Sequence, residues 1–549
     1  MLYAAKRLFW GCILLSACIT FVYRVPKSTG RVVRTIIRSS MNKNVPDYSK
    51  MKGSTTRTGS VWPKPQSMVS NSKMYVLSSS KFKFEYTLSS LRCDDVDETM
   101  KRYMKIIFGN TTREINTWSR NSALEILYIH LSYDCEDYPT IKSSERYVLS
   151  VQDTAMLIAD TQWGVMRGLE TFSQLVHINE DNEIAVNACA IEDYPRFQYR
   201  GLMLDTARHF IPTETILQTL EIMSYNKLNV LHWHITDHQS FPLEFKRFPE
   251  IARHGAFDNG KSVYREEDVK RIVEFARLRG IRVIPEIDLP GHASALAKSR
   301  PDLFLNCYSV TNGVRDDSKG TLDPLNPEVY TFIGALYSEL KNLFPDEYIH
   351  IGGDEISHEC WLTSSEFRKY MSKSRTTEKE IHRMFIEGIL QEARKLNLKP
   401  IAWDDVFSHG YTETPATIEV WTVDHPEDKV GDLTDASVDV IVSYPWYLDN
   451  TLKRQWDIMY LAKPAEYVEQ KNLHHVLGGE SCMWTEHVEA NNVITEIWPL
   501  ASAAAERLWS SKKTTDLIDA ETRLNNLHCV MKCRNVHITP ILPGVCNIG

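Results

Sequence analysis

The stretch Tyr348-Ile349-His350-Ile351-Gly352-Gly353-Asp354-Glu355 runs from a short apolar strand straight into two glycines and two acids. Glycine lets the backbone bend tightly and leaves room for a ligand to approach the carboxylates behind it. The same pattern, a short apolar strand with polar or aromatic residues just beyond it, recurs at Gly201 to Leu204, Val230 to Ile235, Arg282 to Ile287, Pro400 to Trp403, Thr417 to Trp421, Val438 to Ser443 and Val476 to Gly479. Helical patterns separate most of these strands, clearest at Glu266 to Arg279, Val329 to Leu343 and Lys379 to Leu396, and Ile497 to Trp509 follows the last. Eight β-then-α units over roughly 300 residues predict an α/β fold, a (β/α)8 TIM barrel whose chemistry gathers where the strands end.

The barrel pattern occupies residues 196–549, and the chain ahead of it reads differently. Strand-like patterns at Lys81 to Leu88 and Leu124 to Ser132, then a helical stretch from Gly164 to Val176, predict a small α+β domain over residues 61–195, with a boundary at Tyr194-Pro195-Arg196-Phe197. Residues 24–60 hold nine basic residues against one acid, Asp47, and read as a solvated flexible stem. Lys6 and Arg7 precede the apolar run Leu8 to Tyr23, so residues 1–23 read as a targeting segment, either a cleaved signal peptide or a type II membrane anchor. The run is short for a bilayer span, yet it lacks an A-x-A-like cleavage site.

With 549 residues, 43% of them hydrophobic, the chain can bury more than one core, and a net charge of −8 argues against a nucleic-acid partner. Eleven cysteines and the glycosylation sequon at Asn110 fit an oxidising compartment. Cys93 with Cys135, Cys307 with Cys360 and Cys529 with Cys546 would each close a modest loop. Cys189 and Cys482 then remain as buried thiols, and Cys533 is unassigned.

Just past the strands stand Asp205 and Arg208, Asp237, Glu286 and His292, Asp354 and Glu355, Asp404, Trp421, Tyr447 and Asp449, and Glu480, Trp484 and Glu486. Any one acid there could be an ordinary cap or turn residue. Recurrence at strand after strand, with Trp and Tyr among the acids, points to sugars, whose C–H faces stack on indole while carboxylates bind their hydroxyls. Trp403, Trp421, Trp446 and Trp484 are the indoles in question, with one or two of them, and Trp498 and Trp509, read as core. Cleaving a glycosidic bond takes a proton donor and a group that stabilises an oxocarbenium-like centre, and the Asp354-Glu355 doublet offers both. His232 and His234 share one face of a strand, a pattern open to metal, but strands five to eight end in no further His. The reading is therefore of imidazoles hydrogen-bonded beneath the site, with no metal and no cofactor. A metal-dependent barrel hydrolase and a catalytically silent sugar-binding protein are the rival classes.

Arg200-Gly201 with Asp205 to His209, Asn229 to Asp237, Glu286 to His292, His350 to Glu355, Pro445 to Asp449, Glu480 to Glu486 and Ala505 to Trp509 together resemble glycoside hydrolase family 20 β-N-acetylhexosaminidases, in particular the lysosomal-type animal enzymes. The resemblance implies an exo-acting, retaining enzyme in which the 2-acetamido oxygen of the substrate is the nucleophile. It makes Glu355 the general acid and then base, Asp354 the group that orients the acetamide, and Tyr447 a hydrogen-bond donor to the acetamide oxygen. Arg208 and Glu486, with Asp449, would grip hydroxyls, Trp403, Trp421 and Trp484 would wall the pocket, and Asp237 and His292 would support Glu355. A carboxylate next door is expected to raise the pKa of Glu355 and keep it protonated. Asp449-Asn450 stands where relatives that accept charged sugars resemble Asn-Arg, which predicts a preference for neutral substrates, and Asp404-Asp405 departs from the usual Gln-Glu. The implied partners are glycans (N-glycans, glycolipids or chitooligosaccharides) and a second copy in a homodimer. The implied location is the secretory pathway, the lysosome ahead of the Golgi membrane or secretion.

Overall fold

The computed structural model describes residues 60–109, 122–306, 321–356, 358–408, 416–449 and 455–546. The targeting segment, nearly all of the basic stem, Asn110, Cys307 and the side chain of Cys360 lie outside the described residues, as does Asn450. Among the described residues no helix is long and apolar enough to cross a membrane.

The first half is a mixed sheet. Its strands are β1 (Ser67–Val76), β2 (Lys83–Tyr86), β3 (Ser122–Ala123), β4 (Ile126–Leu131), β5 (Tyr147–Val151), β6 (Ala155–Ala159), β7 (His177–Ile178) and β8 (Ile184–Asp193). They lie in the order β2-β4-β6-β5-β8-β1-β3, with β7 on β8. Along β4 the side chains of Leu127, Ile129 and Leu131 are buried and their neighbours are not, the period-two alternation of a sheet covered on one face. Two helices supply apolar cover, Asp94–Phe108 and Gln162–Leu175. The first escapes sequence reading because Val96, Tyr103 and Phe108 are spread thinly among charges. The second is buried on every side, and it can lie so close to the sheet because a Cβ at Gly168 would come within 2.3 Å of Leu157. Cys93 and Cys135 are disulfide-bonded, as are Cys529 and Cys546. Cys189 and Cys482 are buried free thiols, and Cys533 is free and exposed.

The second half is the closed parallel barrel. Its strands are β9 (Tyr199–Asp205), β10 (Val230–Thr236), β11 (Arg282–Ile287), β12 (Tyr348–His350), β13 (Lys399–Trp403), β14 (Thr417–Val420), β15 (Val440–Val442) and β16 (Val476–Met483), paired in sequence with β16 returning to β9. These strands are buried on both faces, which is why they read as short apolar runs without alternation. An apolar layer of Tyr199, Val230, Ile284, Tyr348, Ile401, Ile441 and Leu477 closes the N-terminal end, with Ile141 of the first half inserted beneath it. The predicted helix Ile497 to Trp509 is two helices, Val493–Ile497 and Leu500–Trp509, since Pro499 has no N–H to continue the ladder.

Charged groups join the halves. Glu145, ahead of β5, accepts bonds from Arg200 on β9 at 2.6 Å and from Arg167 of the helix Gln162–Leu175 at 2.7 Å, all three buried. Arg167 also donates to the carbonyl of Gly280 at 2.8 Å. Asp193, at the end of β8, pairs with Lys227 at 2.8 Å and accepts from the Trp509 indole at 2.9 Å.

Candidate active site

The C-terminal ends of the barrel strands converge on Asp354 and Glu355. The turn carrying them depends on its two glycines: Gly352 has φ +71° and Gly353 φ +95°. A Cβ on Gly352 would fall 1.8 Å from the Asp288 carboxylate, and one on Gly353 would fall 2.7 Å from Val406. The turn can therefore nestle between the ends of β11 and β13 only with glycine at both places. Glu355 itself is left-handed, with φ +47°, a conformation that non-glycine residues adopt at a cost.

Three charged residues form a chain behind the doublet. His292 Nδ1 meets Asp237 at 3.2 Å, and its Nε2 lies 3.4 Å from Glu355 and 3.8 Å from Asp354. Asp237 in turn is 2.7 Å from the Arg208 guanidinium. Burial works against a charged His292, but Asp288 and the bonds to Asp237 and Glu355 outweigh it and push its pKa up to about 12. Asp237 stays ionised despite its burial because His234, His292 and Arg208 surround it.

The two acids of the doublet differ in the opposite sense to the sequence expectation. The His292 imidazolium bonded to Glu355 holds its pKa below the ordinary glutamate value, against a lesser opposing effect of burial. Asp354 carries the raised pKa, pushed well up by burial and then by the carboxylate of Asp288. The physical reason is depth: the Glu355 side chain is 61% exposed and touches a cation, whereas that of Asp354 is 10% exposed among carboxylates. Asp354 Oδ1 is buried without a hydrogen-bond partner among the described residues, so one polar atom at the centre of the mouth is left for a ligand.

Aromatic rings line the opposite wall. Trp421 and Tyr447 stack with centroids 6.3 Å apart, Tyr447 and Trp484 lie at 6.4 Å, and Trp484 and Trp403 at 6.0 Å. Burial pushes the Tyr447 hydroxyl well above the usual phenol range, so it remains a proton donor. Arg208 lies over the Trp484 ring at 4.6 Å and reaches to 3.8 Å from Glu486, which is half-exposed at the rim. Asp449 is exposed beyond Tyr447. Trp446 is a core residue, its indole donating to the Met459 carbonyl at 3.0 Å.

Below this mouth lies a buried polar layer whose full extent was not anticipated. Strand β16 runs to Met483, so Glu480 sits inside the barrel and not at its rim. His232 Nδ1 bonds Glu480 at 2.8 Å, and its Nε2 is 2.9 Å from Glu286 but out of line for a hydrogen bond. His234 Nδ1 bonds Glu286 at 2.6 Å, and His350 Nδ1 lies 3.1 Å from it. Glu286 also accepts from the Trp403 indole at 3.0 Å, fixing that wall from beneath. Glu419, on β14, was missed: a single acid in a short apolar strand gives no periodic signal. Burial, reinforced by Glu480, raises its pKa well above the ordinary glutamate value. The His-x-His pair thus engages carboxylates that floor the site.

A family model for the glycosyl hydrolase family 20 catalytic domain matches residues 197–512, and one described as beta-acetyl hexosaminidase like matches residues 61–175. The chain belongs to glycoside hydrolase family 20. Among relatives of this family 20 chain, the beta-hexosaminidase subunit alpha of Mus musculus is 37% identical over 512 residues, covering 88% of this chain and 94% of the relative. The beta subunit of Homo sapiens is 36% identical over 501 residues, covering 89% of each. The solved chitobiase of Flavobacterium johnsoniae superposes with a TM-score of 0.74 at 26% identity, covering 86% of this chain and 72% of that one. This family 20 enzyme is an exo-acting β-N-acetylhexosaminidase that acts on glycans, in a family whose mechanism is substrate-assisted.

Proposed function

We propose that Glu355 protonates the leaving oxygen and then activates water, while Asp354 orients the substrate's 2-acetamido group, whose carbonyl oxygen attacks the anomeric carbon. The observation that carries this reading is the asymmetry of the doublet. Glu355 is exposed at the mouth and tied to His292, whereas Asp354 is buried and its Oδ1 has no hydrogen-bond partner among the described residues. Substrate that covers Glu355 removes water and raises its pKa, readying it as an acid. Positive charge growing on the acetamide nitrogen does the reverse at Asp354, drawing it into the ionised form that stabilises an oxazolinium-like intermediate. Tyr447 donates to the acetamide oxygen, Arg208, Glu486 and Asp449 hold hydroxyls, and Trp403, Trp421 and Trp484 bracket the ring. Asp237 holds His292 in place.

The test is Glu355→Gln. General acid catalysis contributes roughly 100- to 10,000-fold, so kcat/KM on 4-nitrophenyl N-acetylglucosaminide, which reports the step that expels the leaving group, should fall by that order. A dinitrophenyl leaving group, which needs no proton, should lose far less. Equal loss on both substrates would remove Glu355 from the role.

We also infer a preference for neutral terminal GlcNAc and GalNAc, because Asp449 places an anion at the rim where an acidic sugar would need a cation. A 6-sulfated substrate should be hydrolysed at least tenfold less efficiently than its neutral analogue, and comparable rates would refute this. The same reading takes residues 1–23 as signal or anchor, 24–60 as stem, 61–195 as the first domain and 196–549 as the catalytic one. It further includes glycosylation at Asn110, a Cys307–Cys360 bridge, a homodimer and residence in the lysosome.

A further inference from the structure

Asp405, in the first turn beyond β13, touches two parts of the site. The Trp421 indole N–H donates to its Oδ2 at 2.8 Å, and the backbone N–H of Glu355 donates to the same carboxylate. Asp405 is half-buried, and burial raises its pKa. Its neighbour Asp404 anchors the same loop from the other side: it accepts from the Trp421 backbone N–H at 3.2 Å and the Thr422 hydroxyl at 2.6 Å, and pairs with Lys429. The Glu355 turn is seated directly against the following residue, since Gly353 has space for no Cβ before Val406.

A left-handed Glu355 is not a conformation the chain holds for itself. A half-buried carboxylate accepting its N–H supplies a charge-assisted bond that does hold it, and the same carboxylate fixes the rotation of Trp421. We propose that Asp405 is a positioning residue that couples the proton donor Glu355 to the aromatic wall at Trp421, so that acid and wall keep one geometry. The inference rests on Glu355 being the general acid. A displacement of about 1 Å in a reacting group can cost on the order of 100-fold in rate, so the coupling has a measurable consequence confined to steps that need the proton.

The experiment compares Asp405→Asn, Asp405→Glu and Asp405→Ala in the full chain, with folding checked by circular dichroism and thermal midpoint. Substrates are the N-acetylglucosaminides of 4-methylumbelliferone, a poor leaving group, and of 2,4-dinitrophenol, a good one. The Asn amide offers one acceptor atom for two donors, so this near-isosteric variant should lose roughly 10- to 100-fold in kcat/KM, which reports the leaving-group step alone, on the poor leaving group and under threefold on the good one. Asp405→Ala should show the same split, more strongly, and Asp405→Glu should recover most of the rate. Equal losses on both substrates, or none, in a folded Asn variant would overturn the inference. Glu355→Gln run in parallel separates the two ideas. If it shows the leaving-group split and Asp405→Asn does not, only the positioning role fails; if it too lacks the split, the assignment of Glu355 fails.

Discussion

Replacing Glu145 by Gln should strip the two halves of the molecule of their shared anion. Glu145 takes bonds from Arg200 and Arg167 at 2.6 and 2.7 Å and from the Asn229 amide at 3.0 Å, all away from solvent. Glutamine keeps the shape but leaves two buried guanidinium groups facing a neutral amide, and breaking a buried ion pair from one side costs about 3–5 kcal/mol. Each arginine retains carbonyl partners, Phe197 for Arg200 at 2.9 Å and Gly280 for Arg167 at 2.8 Å, so about 3 kcal/mol is the expected value. In a fold of this size that is a drop of roughly 3 °C in thermal midpoint. The pH dependence has a definite sign. Burial alone would raise the Glu145 pKa, but the two arginines bring it below the ordinary glutamate value. Its stabilisation is therefore complete above the unfolded-state pKa of about 4.3 and is lost as pH falls through the lower folded value. Differential scanning fluorimetry from neutral to strongly acidic buffer should show a gap between wild type and variant that is widest near neutrality and closes on acidification. Specific activity of the folded variant should be unchanged, because Glu145 lies at the N-terminal end of the barrel, opposite Glu355. An absent gap, or one that does not vary with pH, would refute the claim that an ionised Glu145 joins the halves.

Replacing His292 by Gln removes the cation that lowers the Glu355 pKa. Glu355 then keeps its proton to higher pH, so the basic limb of the kcat/KM profile should move upward while the rate on good leaving groups changes least. A limb that stays or moves down contradicts the pairing. Serine at both Cys93 and Cys135 opens a bridge spanning 42 residues, which should cost about 3–4 kcal/mol by loop entropy. Urea titration would read this as a lower midpoint, and an unchanged one would mean the bridge adds nothing.

Much of the barrel was legible because every strand is a short apolar run ending in polar residues. Boundaries slipped where chemistry overrode pattern. Val476–Met483 continues past two glycines into Glu480, Ser481 and Cys482, because Glu480 turns into a polar barrel interior where His232 and the Tyr199 hydroxyl bond it. The place of Asp354 and Glu355 at the mouth of the barrel could be read from their neighbours in the chain, but the ordering of their pKa values could not. That depends on Asp288, His292 and Asp405, brought to the doublet by two other loops. The helix Asp94–Phe108 was invisible for a simpler reason. Its buried face is narrow, and tertiary packing, reinforced by the Cys93–Cys135 bridge, supports a sequence dominated by charge.

The raised pKa of Asp354 bears on inhibitors. Burial and Asp288 make this carboxyl hold its proton to higher pH than an ordinary aspartate, at a point where a cationic drug would want an anion. A compound carrying a basic nitrogen there favours the ionised form, so its binding should release protons to the extent that Asp354 still holds one. Its affinity should climb with pH until Asp354 ionises unaided. Titration calorimetry in two buffers of unequal ionisation enthalpy would count the proton directly.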